Sequence, residues 1–405
     1  MTLDKVQNLR YQLGITLSVV GVTFGMYFNW LFPSIKWSPV IMAISAMLLI
    51  GKDFFRLRFK FDKVLLMLIL YQILMLTYGF LDTKEKMTSQ YMSFHIYVIV
   101  LCLLYSSMKM KKNISLNELS KTVFYTSLWS SCLGAYYCSI GYVVGEQAWQ
   151  QKQEMDVYAL EPFTIASGAL MNYFSALLMD KRKKSSFLFI AIGIILDVYI
   201  LFTCEKRTPI FVGLLGTFIF FYKQGTLNNK AFIKLLKYLP ILFIVTIFSY
   251  SYFDSFQLKV DGFAENFYYG VLNLLGDNSV SDATGSAMER VASRNAALNY
   301  MTLNFTFFNF LFGAGYLFKW LDAPLLEAYI DMGVLGFLGY FYLVIWFPFK
   351  SVFIKNLNNV QVLAILFTIY SMVSCMNSGL PYMWNKYVAV CLLAYVLKNK
   401  LVKLS

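Results

Sequence analysis

Charged residues and histidine are scarce in this chain of 405 residues. Charged residues make up 14% of it, against about 25% in soluble globular domains, while 59% of residues are apolar and the mean hydropathy is +0.59. This composition argues against a water-soluble enzyme. The single histidine, His95, and the absence of a CxxC pair among six cysteines argue against a multi-histidine metal site and a disulfide scaffold. We interpret the cysteines as small buried hydrophobic residues.

Apolar stretches long enough to cross a hydrocarbon core of about 30 Å recur along the whole chain. They predict an all-α polytopic integral membrane protein with about twelve transmembrane helices, in a single membrane domain over residues 1–405. The first apolar run lacks a small-residue cleavage motif, so we do not expect a cleaved signal peptide. The predicted spans are 12–32, 38–50, 64–81, 91–108, 119–144, 159–179, 187–203, 208–222, 239–253, 325–349, 360–378 and 384–398.

Basic residues are distributed unevenly between the predicted loops. When both termini are placed in the cytoplasm, 24 of the 35 basic residues and five acidic residues fall inside, and 11 basic and 16 acidic residues fall outside. Taken over all loops, this distribution follows the positive-inside rule. The net charge of +13 is therefore a topology signal, and nucleic-acid binding is not needed to explain it.

One predicted loop is much longer than the others. Residues 254–324, between the ninth and tenth spans, form an external segment rich in aromatic residues, Asn, Gly and charge. A loop of this length is usually functional or disordered. Residues 264–276 and 287–305 show helical apolar spacing, so we expect short amphipathic helices on the outer membrane face, joined by a flexible linker at 276–286.

Ionisable residues lie within the seventh span and directly after it. Asp197 is a lone acid inside this span, where it either accepts hydrogen bonds from a neighbouring helix or serves a functional cavity. Glu205, Lys206 and Arg207 form an external hairpin before the eighth span, and Pro209 suits the first turn of that span. Two cations in so short an external connector oppose the inside preference, so we favour a functional role over an ordinary solvated hairpin.

The long external loop contributes a second group of charges. Arg290 and Arg294 are four residues apart and share a face of the predicted helix, as a paired clamp for an anion requires. The alternative is a surface helix in which Glu289 or another acid pairs with them. Gly313 and Gly315 follow in a GxG, which allows a tight turn or a close backbone approach but is a weak signal alone.

Carboxylates lie at the start of the tenth predicted span. Glu327 and Asp331 are four residues apart, so they share a helix face and can point into one cavity. The alternative, a helix N-terminal carboxylate favoured by the helix dipole, fits Asp322 better than Asp331. Arginines suit a lipid diphosphate, and a nearby carboxylate can accept a proton from an attacking hydroxyl. Residues 377–387 add external aromatic groups that suit a sugar face or an ordinary interfacial belt.

These elements together resemble the bacterial O-antigen polymerase (Wzy-type) and O-antigen ligase superfamily. A span in that family opens with Arg followed by a small residue, as at Arg207 and Thr208. A loop Arg precedes a GxG, as Arg294, or Arg290 one turn earlier, precedes 313–315. This resemblance covers the topology of the whole chain and the motifs of residues 204–339.

A further match supports the resemblance and also contains its main departure. The family has a polar residue ahead of a Gly that opens an LG-rich span, as Asp322 precedes Gly333. Ligases typically carry His at the position of Asp322, so the aspartate favours a polymerase. The aromatic residue and Pro that usually lie between the loop Arg and the glycines are absent as well.

The resemblance implies the GT-C-like arrangement and a metal-independent glycosyltransferase that uses no cofactor. Such a polysaccharide polymerase transfers a growing O-antigen or capsule glycan from undecaprenyl diphosphate to the non-reducing end of a lipid-linked repeat unit. The reaction takes place at the external face of the bacterial inner membrane. Expected partners are the lipid-linked donor and acceptor, membrane lipids, a chain-length regulator and a flippase.

Residue roles follow from the same resemblance. Asp322 and Glu327 are the candidate catalytic residues, for orienting or deprotonating the acceptor hydroxyl. The candidate diphosphate-binding residues are Lys206, Arg207, Arg290 and Arg294, and the candidate substrate-binding residues are Glu289, Gly313, Gly315, Lys319, Tyr382 and Trp384.

Two alternatives to a polymerase remain open. One is an O-antigen ligase, and the other is a lipid-linked oligosaccharide flippase or secondary transporter. A transporter could use Asp197, Glu327 and Asp331 for coupling or substrate binding. However, carriers often have two similar halves, and no internal repeat of charged or Gly/Pro positions is found here.

Overall fold

Long apolar runs form helices throughout the computed structural model. It describes residues 3–32, 37–81, 87–108, 116–144, 152, 160–179, 184–223, 286–318, 320–321, 323–377 and 379–401, and scattered residues between 250 and 272. No strand occurs among these residues. The helices are α1 (Leu3–Leu31), α2 (Trp37–Leu49), α3 (Lys52–Phe55), α4 (Lys63–Leu81), α5 (Ser89–Ser107), α6 (Leu116–Ser139), α7 (Pro162–Leu177), α8 (Lys184–Cys204), α9 (Arg207–Lys223), α10 (Ser286–Asn304), α11 (Phe307–Phe312), α12 (Pro324–Tyr340), α13 (Phe347–Val352), α14 (Asn359–Asn377) and α15 (Trp384–Leu401), with a π-helical turn at Phe341–Trp346.

Helices occupy eleven of the twelve predicted spans in the described part of the chain. The predicted ninth span, 239–253, lies almost wholly outside the described residues. The predicted linker, 276–286, lies outside them too, except for Ser286. α10 coincides with the expected amphipathic segment 287–305, and the described residues of 264–276 are helical. The all-helical class is therefore confirmed for the described residues.

Three helical segments are long and apolar enough to cross a membrane: Lys63–Leu81, Ser186–Cys204 and Pro324–Val352. Shorter apolar helices are Trp37–Leu49, Tyr91–Ser107, Thr208–Lys223, Asn359–Cys375 and Trp384–Leu397. The long segments leave many apolar side chains on the outside of the bundle, such as Leu70 at 57% and Ile195 at 67% exposure. Continuous apolar exposure of this kind is unfavourable in water and is matched by lipid.

Helices α14 and α15 form the centre of the bundle. Every residue from 360 to 370 and from 386 to 397 is buried. α15 packs against α4 and α5, and α14 packs against α6 and α9. Gln361 Nε2 donates to the Val396 carbonyl over 3.0 Å and joins the two central helices. A helix that is apolar on all sides is expected in the protein interior, and both α14 and α15 lie there.

Proline shapes the segment that begins with α12. Pro324 lies at the first helical position, where its missing N–H costs nothing. Pro348 has no N–H to donate to the carbonyl of Val344, so the α-helical pattern cannot continue there. The π-helical turn precedes it, and the Phe347 N–H donates instead to the carbonyl of Tyr342, five residues earlier.

Polar contacts join several connectors at one end of the bundle. The Lys60 N–H donates to the Ser106 carbonyl over 2.9 Å, which places the 56–62 connector against the end of α5. Lys223 Nζ, at the end of α9, donates to the Ile354 carbonyl over 2.7 Å. All of these connectors belong to the predicted cytoplasmic set.

Five of the six cysteines are buried, as expected from their apolar surroundings: Cys102, Cys138, Cys204, Cys375 and Cys391. The expectation is wrong for Cys132, which is exposed. It lies on the outward face of α6, between Trp129 and Tyr136 at helical spacing, and both of these are exposed too.

Candidate functional site

Helix α12 is interrupted at Gly333, which has φ 64° and ψ −163°. An interruption leaves backbone carbonyls of the preceding turn without their usual helical donors. The GxG loop supplies donors to two of these carbonyls. The Ala314 N–H donates to Ile330 over 2.7 Å, and the Gly315 N–H donates to Asp331 over 3.1 Å.

Glycine is required on both sides of this contact. A Cβ on Gly313 would lie 2.1 Å from the Asp331 carbonyl oxygen, and a Cβ on Gly333 would lie 2.3 Å from the Leu311 carbonyl. Both glycines also have positive φ, 81° and 64° respectively. The glycines therefore attach the loop 313–323 to α12 by backbone contact. Substrate binding by Gly313 and Gly315 stays a prediction.

The two carboxylates of α12 are fully buried on one side of the helix. Glu327 and Asp331 both have 0% exposure. Asp331 Oδ1 accepts the Phe318 N–H over 3.1 Å, and its Oδ2 accepts the Tyr382 hydroxyl over 2.5 Å. Asp331 therefore joins the loop before α12 to the turn between α14 and α15. This is a positioning role for one of the two acids.

Aromatic and polar contacts continue from Tyr382 to α4 and α5. The Tyr382 and Tyr316 rings lie 4.2 Å apart. The Tyr316 hydroxyl is 3.1 Å from His95 Nε2, and His95 Nδ1 is 2.7 Å from Gln72 Oε1. Because Oε1 only accepts, Nδ1 carries the proton and Nε2 accepts from Tyr316. Burial raises the pKa of both phenols, so both remain protonated donors.

Glu327 lies at the start of α12, in the first turn. The Glu327 N–H donates to the Ala323 carbonyl over 2.9 Å, which ties this residue to the chain that leads into the helix. Carboxylates are favoured in the first turn of a helix by the helix dipole. Of the two candidate catalytic residues, Glu327 is the one that the structure describes, and it is fully buried.

Helix α10 brings Arg294 to the same end of α12. Arg294 is half-buried and shares a face with Ala297 and Met301, which are buried against the chain leading into α12. The Ser293 hydroxyl donates to the Trp320 carbonyl over 3.4 Å. The Arg294 turn of α10 therefore lies against residues that immediately precede Pro324.

Several predicted site residues lie outside the described part of the structure. These are Asp322 and Lys319, together with the side chains of Arg207, Glu289 and Arg290. Their roles stay predictions. The backbones of 289 and 290 are in the first turns of α10, and the backbone of 207 begins α9.

The start of α9 lies at the same end of the bundle as the first turn of α7. Glu205 has φ 53°, a left-handed conformation that makes the tight turn from α8 into α9, and Lys206 beside it is half-buried. A Cβ on Gly213 would contact Leu170, and one on Gly216 would contact Phe174. α9 therefore runs parallel to α7, and its first residue is level with the first turn of α7.

Trp384 is packed in the interior. It is 7% exposed, and its ring lies 5.7 Å from that of Tyr97 and 6.0 Å from that of Phe94. Tyr382 is fully buried as well. In this structure both aromatic residues contribute to packing, and their binding of a sugar stays a prediction.

Asp197 is the acceptor at a junction of three helices. Ser131 of α6 donates to Oδ1 over 2.6 Å, and Asn172 of α7 donates to Oδ2 over 2.7 Å. Asp197 itself is on α8 and is fully buried. Of the two readings of this residue, the geometry favours the hydrogen-bond acceptor for neighbouring helices.

Sequence reasoning missed Lys386 and Tyr316. Lys386 is only 3% exposed although it lies at the start of an apolar helix. A lysine that opens such a helix is the signal that could have drawn attention to it. Tyr316 carries no comparable signal, because its role depends on His95, which is distant in the chain.

No group of three His, Cys, Asp or Glu side chains suited to a metal ion occurs among the described residues. Comparison with protein-family models, curated proteins and solved structures gave no match.

Proposed function

We propose that the protein is a polysaccharide polymerase of the bacterial inner membrane, acting at its external face. The observation that carries the proposal is the fully buried Glu327 in the first turn of α12, with the Arg294 turn of α10 against the chain that leads into that helix. A buried carboxylate and a half-buried arginine, each next to the short segment that leads into α12, suit a reaction in which a hydroxyl attacks and an anion leaves.

The proposed reaction forms one bond and breaks one. The acceptor hydroxyl oxygen bonds to the anomeric carbon of the donor, and the bond from that carbon to the phosphate oxygen breaks. Undecaprenyl diphosphate leaves with the electron pair. The hydroxyl proton passes to a carboxylate, for which Asp322 and Glu327 are the candidates.

Cationic groups stabilise the charge that grows on the diphosphate. We assign Arg207 together with Arg290 or Arg294 to it, with Lys206 next to Arg207, because an arginine fork matches phosphate oxygens. The start of α9, with Arg207, is at the same end of the bundle as the first turn of α7. That end also holds Tyr382, which contacts Asp331.

The test is deletion of the gene and complementation in the native host, with envelope glycans separated on a gel. Wild type restores a ladder of polymer lengths. Glu327→Gln, Asp322→Asn, Arg207→Ala and Arg294→Ala are each expected to reduce polymerisation, by roughly 10²-fold or more for the residue that acts as base. Arg58→Ala, at an exposed position in the 56–62 connector, is the matched control and is expected to leave the ladder intact.

Other outcomes of the same experiment would overturn the proposal. Intact polymer that is no longer attached to its final acceptor in the deletion strain would indicate a ligase. Accumulation of repeat units on the cytoplasmic side would indicate a flippase. Full polymer length from every variant at normal protein level would exclude the four residues from the site.

A further inference from the structure

One stretch of the long loop carries no charge. It runs from residue 295 to residue 318 and covers the second half of α10, the whole of α11 and the GxG loop. The charged residues of 254–324 all lie before or after this stretch, and eight of its side chains are aromatic. An exposed surface of this composition is unfavourable in water, so the depth of the stretch in the membrane decides its surroundings.

The depth follows from helix α4, one of the three segments long enough to cross a membrane. A Cβ on Gly339 of α12 would lie 2.8 Å from Cδ2 of Tyr71, which is next to the midpoint of α4. Gly333 is six residues nearer the start of α12, so it lies about 9 Å from the membrane centre at a rise of about 1.5 Å per residue. The hydrocarbon core extends about 15 Å from its centre. The contact between Gly333 and Leu311 is therefore inside the core.

The chain enters and leaves this depth on the same side of the membrane. Near the start of α12, the Ser293 hydroxyl of α10 donates to the Trp320 carbonyl over 3.4 Å. Two turns further along α10, Met301 belongs to one buried cluster with Ile330 of α12. α10 therefore runs along α12 towards the membrane centre, α11 forms the turn beside Gly333, and the loop 313–323 returns to the start of α12.

The polar side chains in the last turn of α10 donate to the backbone of the same helix. The Thr302 hydroxyl donates to the Asn299 carbonyl over 2.9 Å. Asn304 Nδ2 donates to the Tyr300 carbonyl over 3.1 Å. In water such donors can bond to solvent, whereas in hydrocarbon they need a partner within the protein.

Helix α11 is capped at both ends by its own side chains. At its start, the Thr306 hydroxyl and N–H donate to Asn309 Oδ1 over 2.7 and 3.1 Å, and the Asn309 N–H donates to the Thr306 hydroxyl over 3.4 Å. At its end, Asn309 Nδ2 donates to the Gly313 carbonyl over 3.2 Å. Each polar side chain between 302 and 312 therefore donates within the segment, as contact with lipid requires.

The same turn exposes large apolar side chains. Leu303, Phe307 and Phe308 are 82%, 72% and 71% exposed. Further along α12, Leu335 and Leu338 are exposed as well, on a segment long enough to cross the membrane. Apolar side chains exposed at this depth are matched by lipid chains.

We propose that residues 303–315 are a re-entrant segment of the membrane domain, in which Leu303, Phe307 and Phe308 contact the acyl chains of the leaflet on the predicted external side. The earlier part of α10 stays at the membrane surface. The partner of this face is the hydrocarbon of the bilayer itself. The re-entrant segment also holds the GxG loop against Asp331 at membrane depth. The inference does not depend on the proposed reaction.

The test is nitroxide spin labelling of the full-length protein in nanodiscs of phosphatidylcholine and phosphatidylglycerol. In a Cys132→Ser background the label is attached at Phe308→Cys. Ile195→Cys in α8 is the lipid-facing control and Arg58→Cys is the water-facing control, and both positions are exposed in the structure. Relaxation of the label is measured with oxygen, which dissolves in hydrocarbon, and with an anionic chromium complex, which stays in water.

Phe308→Cys is expected to match Ile195→Cys in its relaxation by oxygen. Its relaxation by the chromium complex is expected to be at least about tenfold weaker than that of Arg58→Cys, because hydrocarbon excludes a charged reagent by more than that factor. Leu303→Cys is a second variant with the same expected result, and it decides the question if Phe308→Cys does not fold.

Three results would overturn the inference. Chromium relaxation as strong at Phe308→Cys as at Arg58→Cys would place the segment in water. Weak relaxation by both reagents would mean that protein, such as a second copy of this chain, covers the face. A loss of oxygen relaxation only in discs with added polyprenyl phosphate would assign the face to that lipid instead of the bilayer. Polymer formation is not needed for any of these measurements.

Discussion

Asp197 illustrates how a buried acid can hold helices together. Its two carboxylate oxygens accept from Ser131 and Asn172, so one side chain on α8 joins α6 and α7. The sequence predicted that such an acid has a partner or a cavity, but it could not identify the partner. The donors are 66 and 25 residues away along the chain, and serine and asparagine are not distinctive in apolar helices.

Asp197→Ala is expected to lower the free energy of unfolding by about 1–3 kcal/mol, because it leaves two buried donors without an acceptor. Asp197→Asn keeps an acceptor oxygen and is expected to lose less. Denaturation in detergent measures both. The exposed Asp254→Ala is the control. An Asp197→Asn protein of normal stability that loses activity in the native host would instead indicate a functional acid.

At the level of elements, the joint between the loop 313–323 and α12 fixes the surroundings of the candidate site. The sequence drew attention to the GxG as a weak signal and to Gly333 through the family resemblance, and it correctly placed the helix that contains Gly333. It could not predict that the two glycine sites face each other. A glycine in a sequence indicates a close backbone approach or a positive φ, but it does not identify the segment that approaches it.

Gly333→Ala is expected to destabilise the protein by more than about 2 kcal/mol, since it combines a left-handed backbone with a Cβ against the Leu311 carbonyl. Gly141→Ala separates the two causes. Gly141 has φ 74° and nothing within 4 Å of an added Cβ, so about 1 kcal/mol is expected there. Thermal unfolding compares them, and equal losses would mean that the backbone contact contributes little.

For the whole molecule, apolar length and spacing predicted where helices lie, but not which of them are central. Helix α8 is largely exposed and α14 is almost wholly buried, although both are strongly apolar. Lipid tails and protein interiors are similarly apolar, so hydropathy does not distinguish a lipid-facing side chain from a packed one. Packing partners depend on shape and on a few polar contacts.

The predicted sidedness can be tested by cysteine labelling in intact cells. In a Cys132→Ser background, Asn299→Cys in α10 is expected to react with a membrane-impermeant maleimide, whereas Arg58→Cys is expected to react only after permeabilisation. Both positions are exposed in the structure. Labelling of Arg58→Cys in intact cells would reverse the orientation derived from the positive-inside rule.

The central position of α14 and α15 has a consequence for biosynthesis. These two helices follow every other described helix in the chain, yet they fill the middle of the bundle. The ribosome therefore delivers the surrounding helices first and the central pair last. The earlier helices cannot close around their final neighbours until residues 359–401 have been made. The outer helices are therefore synthesised before the central ones. The turn that carries Tyr382 and Lys386 lies between the last two helices, so it reaches its final position only after both have been made.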